Sequence, residues 1–402
     1  MTGVDHLLVV GASVAGLRAI EGARKTGYAG AISLIGAESY LPYDRPPLSK
    51  TFLTDARPEP TFYRTEEALR DDLGVDLHLG APATGLELAG RTVRTTTGEH
   101  RYDALVLATG STARTVPQVG ALDGVHTLRT LDDARALRAA LDLASRMVVI
   151  GGGFIGSEIA SAGRSRGLPV TIVEALPTPL VRAVGEQMGA ACALLHERNG
   201  TELICGTAVE AITGDGRVEH VTLADGTVLD ADLVVVGTGA DPATGWLEGS
   251  GLRLDNGVVC DETLWTGAPG VFAAGDIARW VNPTFGRAMR LEHWTAAGDQ
   301  GRHAGQSAVD PERRGPFANT PYFWSDWYDA NIRFIGIPSD EAHVAIGSPD
   351  DGSFLALYRQ GDTVVGAFAI NQPRHLMKFR PLIARRAGWD EALELGREHA
   401  SA

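Results

Sequence analysis

Two stretches of the chain repeat one pattern of apolar, glycine-rich and helical positions. Each begins with a continuous apolar run, typical of a buried parallel strand, and continues through a glycine turn and a helix into a second strand. The apolar run, turn and second strand occupy 7–10, 11–16 and 31–35 in one stretch, and 147–150, 151–156 and 170–173 in the other. This repetition predicts two dinucleotide-binding domains.

The rest of the pattern predicts further strands and a different third region. Apolar runs at 102–107 and 232–236 lead into glycine-containing turns, and we interpret them as returns between the two domains. A third strand at 270–274 ends at Gly275 and Asp276. Beyond about residue 317, aromatic residues cluster, and short strand-like runs follow at 354–358 and 364–370. We therefore predict an α/β fold with two Rossmann-like domains and a smaller C-terminal α+β domain.

Composition is consistent with a globular protein of several domains. A chain of 402 residues predicts roughly two to three domains. Hydrophobic residues make up 44% and charged residues 21% of the chain, as in ordinary folded proteins. No apolar run approaches the ~18 residues of a membrane-spanning helix, and no secretory signal pattern is visible. We therefore expect a cytoplasmic protein.

Charge and cysteine spacing argue against several functions. The net charge of −14 disfavours a nucleic-acid-binding protein, which would present a basic face. Cys192, Cys205 and Cys260 are odd in number and far apart in sequence. This spacing argues against a disulfide scaffold, a cysteine-rich zinc site and a paired-thiol redox centre. We predict no metal site.

The second glycine turn carries the stronger cofactor signal. Gly151, Gly153 and Gly156 form G-x-G-x-x-G between a strand and a helix, where a pyrophosphate can approach the helix N-terminus. Glu174 ends the next strand. A carboxylate there accepts hydrogen bonds from ribose hydroxyls and repels a 2′-phosphate, so the motif predicts NADH rather than NADPH.

The first glycine turn is less regular. Gly11 and Gly16 hold the first and third glycine positions, Ser13 replaces the second, and Ala15 precedes the last. Taken alone this turn is a weak signal. Together with the second unit, and with Glu38 after its second strand, it predicts a second dinucleotide site.

Several motifs, taken in order, make the chain similar to a known family. It resembles, over essentially its whole length, the FAD- and NADH-dependent ferredoxin reductases of cytochrome P450 and Rieske oxygenase systems. That family shares the glutathione-reductase-like fold. The motifs that carry the resemblance lie at 11–16, 43–50, 108–110, 128–131, 151–156, 275–276, 292–294 and 323–326.

The resemblance implies which residues bind the two cofactors. Positions that match FAD contacts are Gly11, Ser13, Ala15, Gly16, Glu38, Arg45, Lys50, Ala83, Arg129, Asp276 and Trp294. Positions assigned to NADH are Gly151, Gly153, Ile155, Gly156 and Glu174. Further cofactor-binding candidates are Thr109, Gly110, Gly239 and Trp324.

Lys50 and Glu158 are the predicted catalytic pair. The resemblance places Lys50 near the reactive edge of the flavin, where a cation stabilises the negative charge of the reduced ring. Glu158 matches a glutamate that pairs with this lysine and meets the nicotinamide. Two alternatives stay open from the residues alone. Lys50 could be a solvated surface lysine, and Trp294 and Trp324 could be ordinary core aromatics.

The resemblance also divides the chain into functional domains. It implies an FAD-binding domain of residues 1–114 and 240–316, an NAD-binding domain of residues 115–239, and a C-terminal reductase domain of residues 317–402. Hydride would pass from NADH to FAD, and single electrons would pass to a [2Fe-2S] ferredoxin that feeds a cytochrome P450 or a Rieske oxygenase.

The electron acceptor is inferred from missing thiols. Disulfide-reducing proteins of this fold group carry cysteine in the region matching 41–53, which has none here. Electrons should therefore leave directly from the flavin. Five cations lie on a stretch without acids and form a candidate docking patch for an acidic ferredoxin: Arg374, Lys378, Arg380, Arg385 and Arg386. A solvated tail face is an equal alternative.

One departure and three alternative functions qualify this interpretation. Trp327 stands where the family usually has glutamine, which puts the partner surface or the access to the flavin edge in question. A rubredoxin reductase shares the same core. A slow NADH-sensing flavoprotein resembling apoptosis-inducing factor is an alternative from another class, and an NAD-binding protein without flavin is a third.

Overall fold

The chain forms two compact units in the computed structural model, which describes residues 3–116 and 122–400. Unit 1 comprises Met1–Asp44, Pro60–Thr112 and Asp241–Pro321, and unit 2 comprises Arg45–Glu59, Ala113–Ala240 and Tyr322–Ala402. The predicted FAD range corresponds mostly to unit 1, but its segment Arg45–Glu59 belongs to unit 2. In the described part of the chain, no helix has the length and apolar character needed to cross a membrane.

The helices begin where the sequence provides starting signals. Thr130 accepts a hydrogen bond from the backbone N–H of Asp133, whose carboxylate accepts one from Thr130, so a capping box starts the third helix. Pro373 opens the seventh, a position that needs no N–H. The described helices are α1 Val14–Lys25, α2 Thr51–Thr54, α3 Leu131–Leu143, α4 Phe154–Ser165, α5 Val181–Arg198, α6 Trp294–Val309, α7 Pro373–Ala384 and α8 Trp389–Ala400.

The strands are short, and the buried ones are rich in Val, Ile and Leu. In chain order they are β1 His6–Val10, β2 Ala31–Ile35, β3 Val75–His78, β4 Ala83–Glu87, β5 Thr92–Thr95, β6 Gly98–Arg101, β7 Ala104–Leu107, β8 Ser111–Ala113, β9 Val125–His126, β10 Met147–Ile150, β11 Val170–Glu174, β12 Glu202–Cys205, β13 Val209–Thr213, β14 His220–Leu223, β15 Val228–Asp230, β16 Leu233–Val236, β17 Ala240–Pro242, β18 Val258–Val259, β19 Val271–Ala273, β20 Ala278–Asn282, β21 Arg287–Met289, β22 Tyr322–Trp327, β23 Ala330–Gly336, β24 Glu341–Ser348, β25 Ser353–Gln360 and β26 Thr363–Ile370.

Unit 1 is built on a parallel sheet in the order β19–β7–β1–β2–β3. Its central strand β1 is buried from Leu7 to Val10, as expected for a parallel strand covered on both faces. Helix α1 leads from β1 to β2 and packs along α6. A small antiparallel sheet of β4, β5 and β6 belongs to the same unit.

Unit 2 contains a second parallel sheet and a separate antiparallel one. The parallel sheet has the order β12–β11–β10–β16–β9, with β10 fully buried. The antiparallel sheet has the order β22–β23–β26–β25–β24, and helices α7 and α8 pack against it. The predicted fold class is therefore confirmed, with two Rossmann-like regions and a C-terminal α+β domain.

Candidate functional site

The predicted residues of unit 1 collect at one edge of its parallel sheet. The carboxyl ends of parallel strands meet at the same edge, which is where open α/β sheets bind ligands. The Gly11–Gly16 turn follows β1, Glu38 follows β2, Thr109 and Gly110 follow β7, and Asp276 follows β19. Because β2 and β7 flank β1 on opposite sides, the turn after β1 lies at the point where the chain direction across the sheet reverses.

The glycines of this first turn are required by close backbone contacts. Gly11 has φ +123°, and a Cβ there would lie 2.0 Å from the carbonyl oxygen of Ala108. A Cβ on Gly16 would lie 2.0 Å from the carbonyl oxygen of Gly11. Ser13 has extended backbone just before α1, Ala15 is buried in the first turn, and that described turn contains no acidic residue. A helix N-terminus without local negative charge fits a pyrophosphate.

Polar contacts fix the side chains along this edge. Ser111 Oγ donates to Asp276 Oδ2 at 2.9 Å, and Tyr43 donates to Glu38 Oε2 at 2.6 Å. Thr109 Oγ1 donates to the carbonyl of Ala243 at 3.1 Å. Each of the two predicted acids is therefore oriented by a hydroxyl group, and both carboxylates are acceptors suited to ribose or ribityl hydroxyls.

Trp294 and Ala83 complete the predicted set in unit 1. Trp294 begins α6, and its Nε1 donates to Asp44 Oδ1 and Tyr63 Oη, each at 2.8 Å. Tyr63 in turn donates to Asp44 Oδ1 at 2.7 Å. Burial, followed by this hydrogen bond to Asp44, raises the pKa of Tyr63, so the phenol stays protonated. Trp294 is half-buried, and its two hydrogen bonds fix the orientation of its ring. Ala83 is the first residue of β4.

The second glycine turn occupies the equivalent position in unit 2. It follows β10, which pairs with β11 on one side and β16 on the other. A Cβ on Gly151 would lie 2.5 Å from the carbonyl oxygen of Gly237, and one on Gly156 would lie 2.1 Å from that of Gly151. A Cβ on Gly153 would approach nothing among the described residues closer than 3.8 Å. The first and third glycines are thus needed for the turn, and the second leaves open space.

The other predicted NADH residues surround this turn. Glu174 ends β11, and its carboxylate accepts hydrogen bonds from the backbone N–H of Gly152 at 2.7 Å and of Leu176 at 2.9 Å. Ile155 is 42% exposed in the first turn of α4. Gly239 follows β16 with φ +106°. The described first turn of α4 contains no acidic residue, so this end also fits a phosphate group.

Lys50 and Glu158 form an ion pair inside unit 2. Lys50 Nζ lies 2.7 Å from Glu158 Oε1, with the lysine side chain 20% exposed and the glutamate side chain 3% exposed. Lys50 follows a 3-10 turn at Pro46–Ser49, and Glu158 lies one turn into α4. Lys50 is therefore not a freely solvated surface lysine. Its cation is held against a buried carboxylate.

Three residues that the sequence did not assign complete this cluster. Ser49 donates to Glu158 Oε2, and Ser325 donates to Glu158 Oε1. Trp327 Nε1 donates to Ser325 Oγ at 2.8 Å. The alternation of β22 carried a usable signal, because a serine at 325 shares a strand face with two large aromatics, Phe323 and Trp327.

Trp327 is wholly buried, so it lies in the interior of unit 2. Its ring stacks on His196, with centroids 4.9 Å apart and planes inclined by 26°. The departure from the family pattern therefore changes the surroundings of Glu158 and not the exposed surface. Trp324 points to the opposite face of β22 and stacks on Tyr322 with centroids 6.1 Å apart.

Arg45 and Arg129 are brought together in unit 2. Arg45 Nη1 donates to the carbonyl oxygen of Arg129 at 2.7 Å. The backbone N–H of Arg129 donates to the Asp133 carboxylate at 2.9 Å, next to the capping box of α3. The motif at 128–131 is thus a helix start that fixes the backbone around Arg129.

The cationic patch lies on α7 and the residues that follow it. Arg374, Lys378 and Arg380 are exposed on that helix. Arg385 forms an ion pair with Glu391 of α8. Glu391 therefore neutralises part of the positive charge of this stretch, and fewer free cations are exposed than the sequence alone indicates. In the described residues no cluster of His, Cys, Asp and Glu is arranged to hold a metal ion.

Comparisons with known proteins agree along the whole chain. Residues 5–301 match the family described as pyridine nucleotide-disulphide oxidoreductase, and residues 322–395 match the reductase C-terminal family. Rhodocoxin reductase of Rhodococcus erythropolis is 36% identical over 383 residues, which cover 94% of this chain and 89% of that protein. The anthranilate 1,2-dioxygenase system ferredoxin–NAD(+) reductase component of Burkholderia cepacia is 36% identical over 392 residues, covering 95% of each.

A solved structure shows the same architecture. The reductase in the covalent putidaredoxin reductase–putidaredoxin complex superposes with a TM-score of 0.90 at 31% identity, covering 99% of both chains. At this identity and coverage the similarity extends beyond fold to the type of protein.

Proposed function

The chain belongs to the pyridine nucleotide-disulphide oxidoreductase family, and we propose that it is an NADH-dependent ferredoxin reductase that carries FAD. FAD accepts a hydride from NADH and releases single electrons, here to a [2Fe-2S] ferredoxin that feeds a cytochrome P450 or a Rieske oxygenase. One observation carries this choice of acceptor. The chain has cysteines only at positions 192, 205 and 260, so no thiol lies in 41–53.

Unit 1 supplies the residues that would hold FAD at its sheet edge. The turn at 11–16 leaves backbone N–H groups at the start of α1 for the pyrophosphate, and Glu38 and Asp276 offer acceptors for the sugar and ribityl hydroxyls. The residues that the resemblance assigns to FAD are kept as the proposed FAD set: Gly11, Ser13, Ala15, Gly16, Glu38, Arg45, Lys50, Ala83, Arg129, Asp276 and Trp294. Thr109, Gly110 and Trp324 stay further cofactor-binding candidates. The proposal includes the domain boundaries that the resemblance implies: residues 1–114 and 240–316 for FAD, 115–239 for NADH, and 317–402 for the C-terminal reductase domain.

Unit 2 supplies the residues that would hold NADH. The open space at Gly153 admits a phosphate, and Glu174 presents a carboxylate at the end of the adjacent strand. The preference for NADH over NADPH rests on this carboxylate, because a 2′-phosphate beside it would be repelled. The proposed NADH set is Gly151, Gly153, Ile155, Gly156, Glu174 and Gly239.

Lys50 and Glu158 are the proposed catalytic pair. The ammonium group of Lys50 supplies a fixed positive charge, and Glu158 fixes its position. Because the carboxylate is buried, this ion pair is weakly screened by solvent salt. A cation so placed stabilises negative charge that develops near it during reduction.

The acceptor is tested by comparing two small iron proteins. Purified protein with its bound FAD is mixed anaerobically with NADH and either a [2Fe-2S] ferredoxin or a rubredoxin, and reduction of the acceptor is followed by absorbance. We expect kcat/KM for the ferredoxin to exceed that for rubredoxin by at least about tenfold, which corresponds to ~1.4 kcal/mol. NADPH in place of NADH should support much slower turnover.

Other outcomes distinguish the alternative functions. Faster reduction of rubredoxin would assign the protein to the rubredoxin reductases. Slow turnover with both acceptors, together with tight binding of NADH, would support a sensing flavoprotein. A colourless purified protein that does not take up FAD would contradict the proposal. The predicted cytoplasmic location is a further part of the proposal, and cell fractionation tests it.

A further inference from the structure

We propose that Ser325 and Trp327 are positioning residues that act through Glu158 to hold the Lys50 ammonium group in its reactive place. This inference rests on the proposed function, because it gives Lys50 a role in reduction. It assigns a use to a buried aromatic residue and a buried hydroxyl that the sequence left without one.

The four groups form a continuous chain of contacts within unit 2. Trp327 Nε1 lies 2.8 Å from Ser325 Oγ, and Ser325 Oγ contacts Glu158 Oε1. The same carboxylate oxygen lies 2.7 Å from Lys50 Nζ. A change at Trp327 can therefore reach Lys50 through only two intermediate side chains.

The chemistry of the groups fixes the direction of every hydrogen bond. An indole N–H can only donate, so Ser325 must accept from Trp327. The single hydroxyl proton of Ser325 is then left to point at Glu158. The ammonium group of Lys50 and the hydroxyl of Ser49 also donate to this carboxylate. Glu158 thus accepts from three sides. Lys50 Nζ and Ser49 Oγ also lie 3.4 Å and 3.5 Å from the carbonyl oxygen of Pro46, so Ser325 is the donor whose direction is fixed by its other contact.

Burial prevents water from replacing a lost member. Trp327 and Ser325 are both 0% exposed, and Glu158 is 4% exposed. Without the indole N–H, the orientation of the Ser325 hydroxyl is no longer fixed from its acceptor side, so its hydrogen bond to Glu158 weakens. A buried carboxylate that loses a donor is destabilised, so Glu158 and the lysine paired with it would become less ordered.

The scaffold that holds Trp327 and Ser325 follows from the match between a strand and a helix. Phe323 packs edge-on against Phe154 with ring centroids 4.6 Å apart, and Ser325 meets Glu158 one helical turn further along α4. Two strand residues advance about 6.6 Å and four helical residues about 6.0 Å, so the two elements stay in step. On its other side the Trp327 ring stacks on His196.

The test compares Trp327→Phe, Ser325→Ala and the double variant in the FAD-bound protein. Trp327→Phe keeps an aromatic ring against His196 but removes the N–H donor together with the five-membered ring of the indole, so part of its effect on Tm comes from lost packing. Stopped-flow measurement should show the rate constant for flavin reduction by NADH falling about tenfold in each single variant, with a smaller change in the Kd for NADH. The flavin midpoint potential, which does not depend on turnover, should become more negative because the cation is less well placed.

The double variant tests whether the two residues act in series. If Trp327 acts only through Ser325, then adding Trp327→Phe to Ser325→Ala should leave the rate constant and the potential where Ser325→Ala put them. Tyr358→Phe is the matched control. Tyr358 is fully buried in the same unit and donates one hydrogen bond, to the Val184 carbonyl, outside this chain of contacts. Like Ser325→Ala, it removes one buried hydroxyl group and should lower Tm by a similar amount. It should leave the rate constant for flavin reduction and the flavin midpoint potential unchanged.

The outcomes separate this inference from the proposed function. If the wild-type protein is reduced by NADH but the variants behave like Tyr358→Phe, with a lower Tm and unchanged flavin readouts, Ser325 and Trp327 are only structural and the inference is overturned. Additive effects in the double variant would overturn the serial arrangement. If the wild-type protein itself fails to bind FAD or to react with NADH, it is the proposed function that fails.

Discussion

Individual residues of the second glycine turn have separable tasks, which makes the proposed NADH site testable without unfolding the protein. Gly153 has φ −77° and ψ −175°, a conformation that alanine adopts easily. Its position is open, whereas Gly156 faces the carbonyl oxygen of Gly151. Stability and cofactor binding should therefore respond differently at the two positions.

We expect Gly153→Ala to weaken NADH binding while changing the free energy of unfolding by less than about 1 kcal/mol. The added methyl group would occupy the space through which a phosphate approaches, so the Kd for NADH should rise about tenfold or more. Gly156→Ala should instead destabilise the fold by about 2 kcal/mol or more, because its Cβ would overlap a backbone oxygen. Equal NADH affinity in Gly153→Ala and wild type would contradict the site.

A buried histidine gives unit 2 a dependence on pH. His196 is 0% exposed and contacts Ser157 and Tyr328 through its two ring nitrogens. Burial lowers its pKa from 6.5 to about 4. Between these values the unfolded chain binds a proton that the folded protein does not, so the free energy of unfolding decreases as pH falls through this range.

The contribution of His196 should amount to about 1 kcal/mol of stability lost between pH 7.5 and 5.5. Denaturant unfolding at the two pH values measures it. In His196→Phe, which keeps a ring against Trp327, the loss should be reduced by about this amount. The free energy of unfolding of the variant should still decrease somewhat as pH falls, because burial also lowers the pKa of His293 to about 4. An unchanged pH dependence in the variant would show that His196 is not responsible.

At the scale of elements, α1 and α6 pack closely because glycines on α6 face the backbone of α1. A Cβ on Gly305 would lie 2.0 Å from the carbonyl oxygen of Ala19, and one on Gly301 would lie 2.2 Å from that of Ala15. Gly298 is on the same helix and buried, but its added Cβ would lie no closer than 3.8 Å to Arg18 or Val14. Helix propensity and packing therefore oppose each other only at the first two positions.

We expect Gly305→Ala to lower the free energy of unfolding by about 2 kcal/mol or more, because the helices must separate. Gly298→Ala should raise it by about 0.5–1 kcal/mol, because alanine is the better helix former and meets only ordinary contacts. Thermal or denaturant unfolding measures both. Destabilisation by the two substitutions alike would mean that close packing does not decide the effect.

The predicted docking patch lies on α7 and the residues that follow it, and its members differ in exposure and pairing. Arg380 is exposed, whereas Arg385 is already paired with Glu391. At low salt, Arg380→Glu should raise the KM for a ferredoxin about threefold or more, and Arg385→Glu should raise it less. Glu391→Gln should lower it by releasing Arg385. These differences should shrink at high salt. If all three variants had the KM of the wild-type protein, the patch would be an ordinary solvated surface.

The helices and strands could be predicted from the sequence, but several contacts between them could not. Continuous apolar runs identified β1, β10 and their partners because parallel strands are buried on both faces. The same logic did not reveal that Glu391, beyond the cationic stretch, neutralises Arg385, because that contact depends on how α8 packs on α7. Nor did it reveal that Ser325 links Trp327 to Glu158, since a contact between positions so distant in sequence leaves no local pattern.

At the scale of the whole molecule, repetition and cysteine content together determine what the protein can reduce. The two units each have a glycine turn after a central strand, and the sequence revealed both. The thiols offer no third redox centre. All three are free, Cys192 and Cys260 are buried, and burial raises the pKa of each thiol, including that of Cys205. Thiols kept protonated are poor nucleophiles and poor partners for disulfide exchange.

Anaerobic titration with NADH should therefore bleach the flavin fully at about one NADH per FAD, because a hydride carries the two electrons that one flavin accepts. Dithionite titration of the same sample gives the independent count of electrons and should agree. A requirement for two NADH per FAD would reveal a disulfide formed by the cysteines. Replacing Cys205, the least buried of the three, with serine would then restore the single equivalent if that residue took part. Such a result would place the protein among thiol reductases and remove the argument for direct electron transfer to a ferredoxin.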